Sequence, residues 1–346
     1  MQTDYLHGAK VWVIFATVLV VTLPLSVLRL SGALPKGVLD AYICVFALTH
    51  FLITFALYLQ SRNLTYFKQG PRNWTVYFTV PLLIWVGFDL FSALDGKERL
   101  PLIGAVIPYG VLLFDFSHFT RQNFGVQQLF QSKLRSTLPS WIRPVQNAYW
   151  LLAMVVLFET GIGDGAFKRH EPRVLGEVAV LLCLALAIAF ALVKGFRGAA
   201  SADERRAARN ASIYFGAQTL SFGFAAYDVR LYMLALATHY VEYHVLMAPR
   251  CFDAPLDQTS RLDRFFGALR ANRAVFYGTL LALAATALFL PMLKDQYAAG
   301  SGVPLRVLLN LYNGLFVFHY FVESFVWKFN QPFYRQTLGP LYFRSR

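Results

Sequence analysis

The stretch Val11–Leu30, VWVIFATVLVVTLPLSVLRL, decides the fold class, because its twenty residues carry a single charge, Arg29. About 20 consecutive apolar residues cross a hydrocarbon core of roughly 30 Å, and the apolar core of a signal peptide is shorter. The run is therefore read as a retained first span. The same pattern recurs outward along the chain, at 38–60, 74–94, 101–130, 145–161, 174–195, 211–227, 230–249, 273–293 and 304–328. The segments 145–161 and 211–227 are the shortest and the most interrupted by polar residues. These runs predict an all-α, polytopic transmembrane helix bundle of ten spans, forming a single integral membrane domain over residues 1–346.

Composition agrees with lipid as the solvent. The 346 residues are 57% hydrophobic and 15% charged, where soluble domains carry about 25% charged residues. No polar stretch is long enough to fold as a soluble domain. A net charge of +13 would suit nucleic acid if it formed one basic face, but the Lys and Arg residues sit in short connections between apolar runs. That placement points to membrane topology and anionic headgroups, and excludes nucleic acid as the expected partner. With the N-terminus inside, the inner connections hold 21 of the 32 Lys and Arg residues and the outer ones hold 10. Both termini are thus expected to be cytoplasmic, in a bacterial cytoplasmic membrane.

Two connections are more polar. The segment 196–210, FRGAASADERRAARN, reads as a cytoplasmic loop or short surface helix. Within 250–272, RLDRFFGALR reads as a helix lying along the membrane face. Cys44, Cys183 and Cys251 are widely separated and form no CxxC pair, so neither a disulfide framework nor a thiolate metal site is expected.

The histidines carry the functional signal. His7 and His170 lie in polar segments, whereas His50, His118, His239, His244 and His319 lie inside the apolar runs of spans 2, 4, 8 and 10. Ionisable groups at membrane depth are costly and usually line a functional cavity or pair with one another. In the ten-span topology those four spans all run from outside to inside. Measured from the inner charged ends Arg62, Lys133, Arg250 and Lys328, the five histidines fall within about 14 Å of one another along the membrane normal. All five are thus expected in the cytoplasmic half.

Carboxylates accompany them at helical spacing. In DFSHFTRQNFG, Asp115 precedes His118 by three residues. In THYVEYH, Glu242 follows His239 by three, and His244 stands five beyond His239, about 140° around the helix. In FHYFVESFVWKF, Glu323 follows His319 by four. Histidine and carboxylate at i,i+3 or i,i+4 are how helix bundles build di-iron sites, and imidazole with carboxylate suits iron, manganese or zinc. The candidate metal ligands are His50, His118, His239, Glu242, His244, His319 and Glu323. Asp115, Arg121 and Gln122 are candidates for orienting a substrate or a water. Each has a plainer role open to it: Asp115 can pair with Arg121, Glu323 with Lys328, and Glu242 can accept a ring N–H from a liganding histidine. Asp89 has no histidine neighbour and is left unassigned.

This clustering of membrane histidines resembles the integral-membrane non-haem iron oxygenases, the desaturase and hydroxylase type. The resemblance implies two irons, dioxygen, external electrons and a lipid-like substrate. The HxxxH and HxxHH boxes of those enzymes do not occur here, so no ligand assignment is carried over from them. The function expected is a membrane oxidoreductase that uses dioxygen on an apolar substrate entering from the lipid. Reducing equivalents would come from an acidic electron-donor protein steered by the basic face, since no dinucleotide-binding glycine pattern is present. Three alternatives use the same histidines: a haem-binding electron-transfer protein, a zinc-dependent intramembrane hydrolase, and a transporter with a proton or metal path.

Overall fold

The computed structural model describes residues 10–93, 101–134, 137–162, 172–297 and 314–342. In chain order its helices are α1 (Lys10–Leu30), α2 (Lys36–Leu57), α3 (Ser61–Phe67) and α4 (Gly70–Phe91). Next come α5 (Pro101–Phe130), α6 (Ile142–Ile162), α7 (Pro172–Arg197) and α8 (Ala202–Tyr227). The last are α9 (Tyr232–Ala235), α10 (Ala237–Ala248), α11 (Arg261–Arg270), α12 (Arg273–Tyr297), α13 (Leu315–Val326) and α14 (Pro332–Tyr342). Among the described residues there is no strand, so the class is all-α.

Among the described residues four helices, α1, α2, α4 and α7, are long and apolar enough to cross a membrane. A fifth joins them if α11 and Arg273–Phe289, bent by 99°, count together. Apolar side chains stay exposed along these helices, among them Leu182, Leu186 and Phe190 on α7 at 60–70%. Water would penalise such a row, whereas lipid accepts it. Much of the expected tenth span, 304–328, lies outside the described residues.

The segment 196–210 differs from its expectation. Residues 202–210 are not a separate surface element but the first turns of α8, which continues to Tyr227. Ser201 starts the helix with a capping box: its hydroxyl accepts from the Glu204 N–H at 3.1 Å, and the Glu204 carboxylate accepts from the Ser201 N–H at 3.1 Å. RLDRFFGALR does form its own helix, α11. Phe266 is buried and Phe265 is 61% exposed, and the sharp bend sets α11 nearly perpendicular to the start of α12.

The chain divides into two compact units interleaved in sequence, unit 1 from residues up to 34 and 112–242, unit 2 from 35–111 and 243–346. In unit 1, α7 packs on α6 and α8, and α1 packs on α8. Gly161 allows α6 its close approach, because a Cβ there would lie 2.6 Å from Leu112 Cδ2.

Unit 2 packs α2 against α12 and α13, and α13 against α4. Proline shapes α4. Pro81 has no N–H and crowds the carbonyl four residues back, so the helix widens over Thr75–Thr79. That carbonyl, of Tyr77, instead accepts from the Tyr58 hydroxyl at 2.8 Å. Asp89, unassigned from sequence, anchors the start of α13: its buried carboxylate accepts from the Gly314 N–H at 2.9 Å. Gly314 sits against α4 so closely that a Cβ would stand 2.7 Å from the Trp85 carbonyl oxygen.

Candidate metal centre

His50 lies on an irregular part of α2. The helix widens over Ile43–Leu48, regains α geometry over Thr49–Ile53 and tightens over Thr54–Leu57. Wide turns inside helices are frequent at functional sites, where they re-aim side chains. Thr49 covers part of this break by donating its hydroxyl to the Val45 carbonyl.

Within unit 2 the structure brings His50, His319 and Glu323 together. Each offers one ligand atom within 4.8 Å of those of the other two. His50 and His319 are 0% exposed and Glu323 is 4% exposed. His319 Nε2 and Glu323 Oε2 are 3.0 Å apart, as the i,i+4 spacing on α13 requires. Two ligand atoms roughly 2.1 Å from one ion stand about 3.0–3.4 Å apart in octahedral or tetrahedral geometry. The His319–Glu323 separation meets that condition. Two imidazoles and one carboxylate are also the donor set of non-haem iron(II) and of several catalytic zinc sites.

An outer ring holds these groups. Thr54 Oγ1 is 2.6 Å from His319 Nδ1 and 3.0 Å from the Tyr243 hydroxyl oxygen. With the Nδ1–H donated to Thr54, the Nε2 lone pair faces Glu323, the tautomer a metal ligand needs. The Tyr243 ring lies 4.6 Å from that of His50 and 5.2 Å from that of His319, and Phe51 lies 5.3 Å from His319. This collar excludes water and strengthens electrostatic interactions inside it. Helices α2 and α13 also line an apolar cavity of about 280 Å³, with Leu52, Phe55, Trp85, Phe276, Leu280 and Leu315 in its wall.

His244 has a different environment in unit 2. Thr49 Oγ1, which donates to Val45, is 3.2 Å from His244 Nε2, so it accepts the ring N–H. Tyr277 lies 5.8 Å from the same ring. Glu323 is drawn to His319, while Lys328 sits over the Phe325 ring at 4.2 Å.

The remaining sequence-predicted residues belong to unit 1. The His118 and His239 rings are 5.2 Å apart and perpendicular. Glu242 is fully buried. Its Oε1 accepts from Gln122 Nε2 at 3.1 Å, and its Oε2 from the Tyr214 hydroxyl at 2.8 Å and Gln218 Nε2 at 2.5 Å. The carboxylate is thus held by neutral donors on both oxygens, with Gln122 as one of its clamps. Asp115 accepts from the Tyr232 hydroxyl at 2.9 Å, and Arg121 is exposed.

Sequence reasoning missed Thr54, Thr49, Tyr214 and Gln218. Thr54 stands one turn after His50 on the same helix face, but a lone threonine in that place carries no periodic signal. Comparison with protein-family models, with curated proteins and with solved structures finds no match.

Proposed function

We propose that the protein is an integral-membrane oxidoreductase with a non-haem metal centre held by His50, His319 and Glu323. The observation that carries the reading is the convergence of these three buried donors within 4.8 Å of one another. A bound iron would supply dioxygen activation. The chain's own part is to present two neutral imidazoles and one negative charge, to fix the His319 tautomer through Thr54, and to keep water out with Phe51 and Tyr243. The apolar cavity walled by Phe55 and Trp85 suits a lipid-like substrate reached from the bilayer. Electrons would come from an acidic donor protein. Two irons were the expectation from sequence; unit 2 offers ligands for one, and His118 with His239 offers imidazoles for another.

The ten-span topology with cytoplasmic termini is part of the same proposal. Besides the four apolar helices, α5, α6 and α8 have 30, 21 and 26 residues, which at 1.5 Å rise per residue give at least about 30 Å each. Their polar side chains, not their lengths, separate them from α1 and α7. Gln122, Tyr214 and Gln218 all donate to Glu242 inside unit 1, and such mutual bonding is how polar groups are tolerated at membrane depth.

The test is the metal content of the purified protein beside His50→Ala and His319→Ala variants. Iron in the parent, one or two per chain, and its loss from both variants is the expected result. A parent without metal, or variants that keep it, overturns the reading. The same donor set favours zinc as a second reading. Stoichiometric zinc with turnover that survives without oxygen would replace oxidation by hydrolysis, and a Soret band would replace both by haem.

A further inference from the structure

Unit 1 contains a buried row of amides that no helix-packing requirement explains. Asn123 and Gln127 on α5, and Gln131 just past its end with its N–H bonded to the Gln127 carbonyl, recur every four residues on one face. On α8, Asn210, Tyr214 and Gln218 do the same. Asn123, Gln127, Asn210, Tyr214 and Gln218 are 0% exposed, and Gln131 is 4% exposed. The two stripes meet, because the Tyr214 hydroxyl lies 3.3 Å from Asn123 Oδ1. They run antiparallel: Gln122 and Gln218 both reach Glu242, while the turn Ser132–Leu134 at the other end of α5 packs on α8.

Their hydrogen bonding is incomplete in a patterned way. Gln127 accepts from Trp150 Nε1 at 3.0 Å, and Gln146 accepts from Gln128 Nε2 at 2.6 Å. Yet the amide nitrogens of Asn123, Gln127, Gln131, Gln146 and Asn210, and the Asn210 and Gln122 amide oxygens, have no partner among the described residues. Buried amides are nearly always satisfied, and where protein groups do not suffice an ordered water supplies about three hydrogen bonds. The unpaired amide nitrogens of Asn123, Gln127 and Gln131 follow one line of about 12 Å at 1.5 Å per residue, with the unpaired Asn210 amide on the facing helix, and together they call for a file of such waters. Scattered packing defects would not recur every four residues along one face.

We propose that this row binds a chain of water molecules leading from the Gln131 end of α5 to Glu242, where the His118–His239 pair also lies. The chain gives the fully buried Glu242 carboxylate an aqueous connection. It does not depend on the metal reading, since none of its members is a ligand in unit 2.

Hydroxyl-radical footprinting by synchrotron radiolysis of the full-length protein in detergent tests it, because bound water is activated in place and oxidises the side chains it touches. Tyr214 reports on the row, and Tyr334 serves as the dry reference. Both are 0% exposed, and the Tyr334 hydroxyl donates to the Tyr77 hydroxyl at 2.7 Å. The expected result is Tyr214 oxidation at least about tenfold faster than that of Tyr334, falling to the reference rate in the double variant Asn210→Leu, Gln127→Leu. Should that variant not fold, Asn210→Leu alone is read in the same way. Equal slow rates for both tyrosines in the parent overturn the proposal, as does fast Tyr214 oxidation that the leucines leave unchanged.

Discussion

Replacing Thr54 by valine separates a metal centre from a mere buried ion pair. The change keeps the shape of the side chain and removes only the hydroxyl, which stands 2.6 Å from His319 Nδ1 and 3.0 Å from the Tyr243 oxygen. Two costs follow. The Tyr243 phenol and the Nδ1 proton each lose a buried partner, which lowers folding stability by about 1–3 kcal/mol. The imidazole also loses the bond that fixes its tautomer and orientation, and outer partners of this kind are worth about 10–100-fold in metal affinity, or roughly 1.4–2.8 kcal/mol. Competition titration of iron(II) and zinc(II) against a chelator measures the second effect, and thermal unfolding of the metal-free protein measures the first. Thr54→Ser, which keeps the hydroxyl, should restore most of both. A Thr54→Val protein that melts earlier but binds metal with the parent's affinity refutes the reasoning, because the hydroxyl would then serve only the His319–Glu323 pair.

Other substitutions probe the frame around the site. Gly314→Ala would press a Cβ to 2.7 Å from the Trp85 carbonyl oxygen. Backbone cannot swing aside as a side chain can, so a loss of about 1–3 kcal/mol is expected in thermal unfolding, together with reduced metal retention as α13 shifts. Gly195→Ala meets only the Leu138 side-chain tip, at 2.9 Å, and should cost clearly less in the same assay. In unit 1, Glu242→Ala strips the acceptor from Tyr214, Gln218 and Gln122 at once; a loss of at least about 3 kcal/mol is expected, with Glu242→Gln milder. Cys251 is fully buried and its thiol is pushed up to about 12 by burial, against the smaller opposing pull of Arg250 and Arg270. At pH 8 only about one thiol in 10⁴ would be thiolate, so iodoacetamide should leave Cys251 unmodified until the protein is denatured. Rapid labelling in the native state would contradict that burial.

What the sequence reveals about the site is what a single helix determines. His319 and Glu323 could be paired from their i,i+4 spacing alone, and the five membrane histidines stood out because ionisable groups are rare at such depth. The partners that hold them could not be read, because they come from far away in the chain. Thr54 meets His319 across 265 positions, and Asp89 meets Gly314 across 225. A lone threonine one turn past a histidine carries no periodic signal, and Asp89 looked unexplained because its partner is a backbone N–H, which no side-chain pattern announces. The fold shows the same division. Apolar length marks α1, α2, α4 and α7 directly, whereas the charged first turns of α8 make its sequence read as a polar connection followed by a short span.

The five-residue offset between His239 and His244 carries the last step. Two side chains about 140° apart on one helix cannot face a single centre, and their contacts differ accordingly. His239 meets His118 and Phe119 within unit 1, and His244 meets Thr49 and Tyr277 within unit 2. Their substitutions should therefore act independently. His244→Ala, with His50, His319 and Glu323 untouched, should leave a metal ion held by those three in place, and metal analysis of that variant is the direct check. A variant that loses all its metal would make His244 a ligand and refute the three-residue donor set.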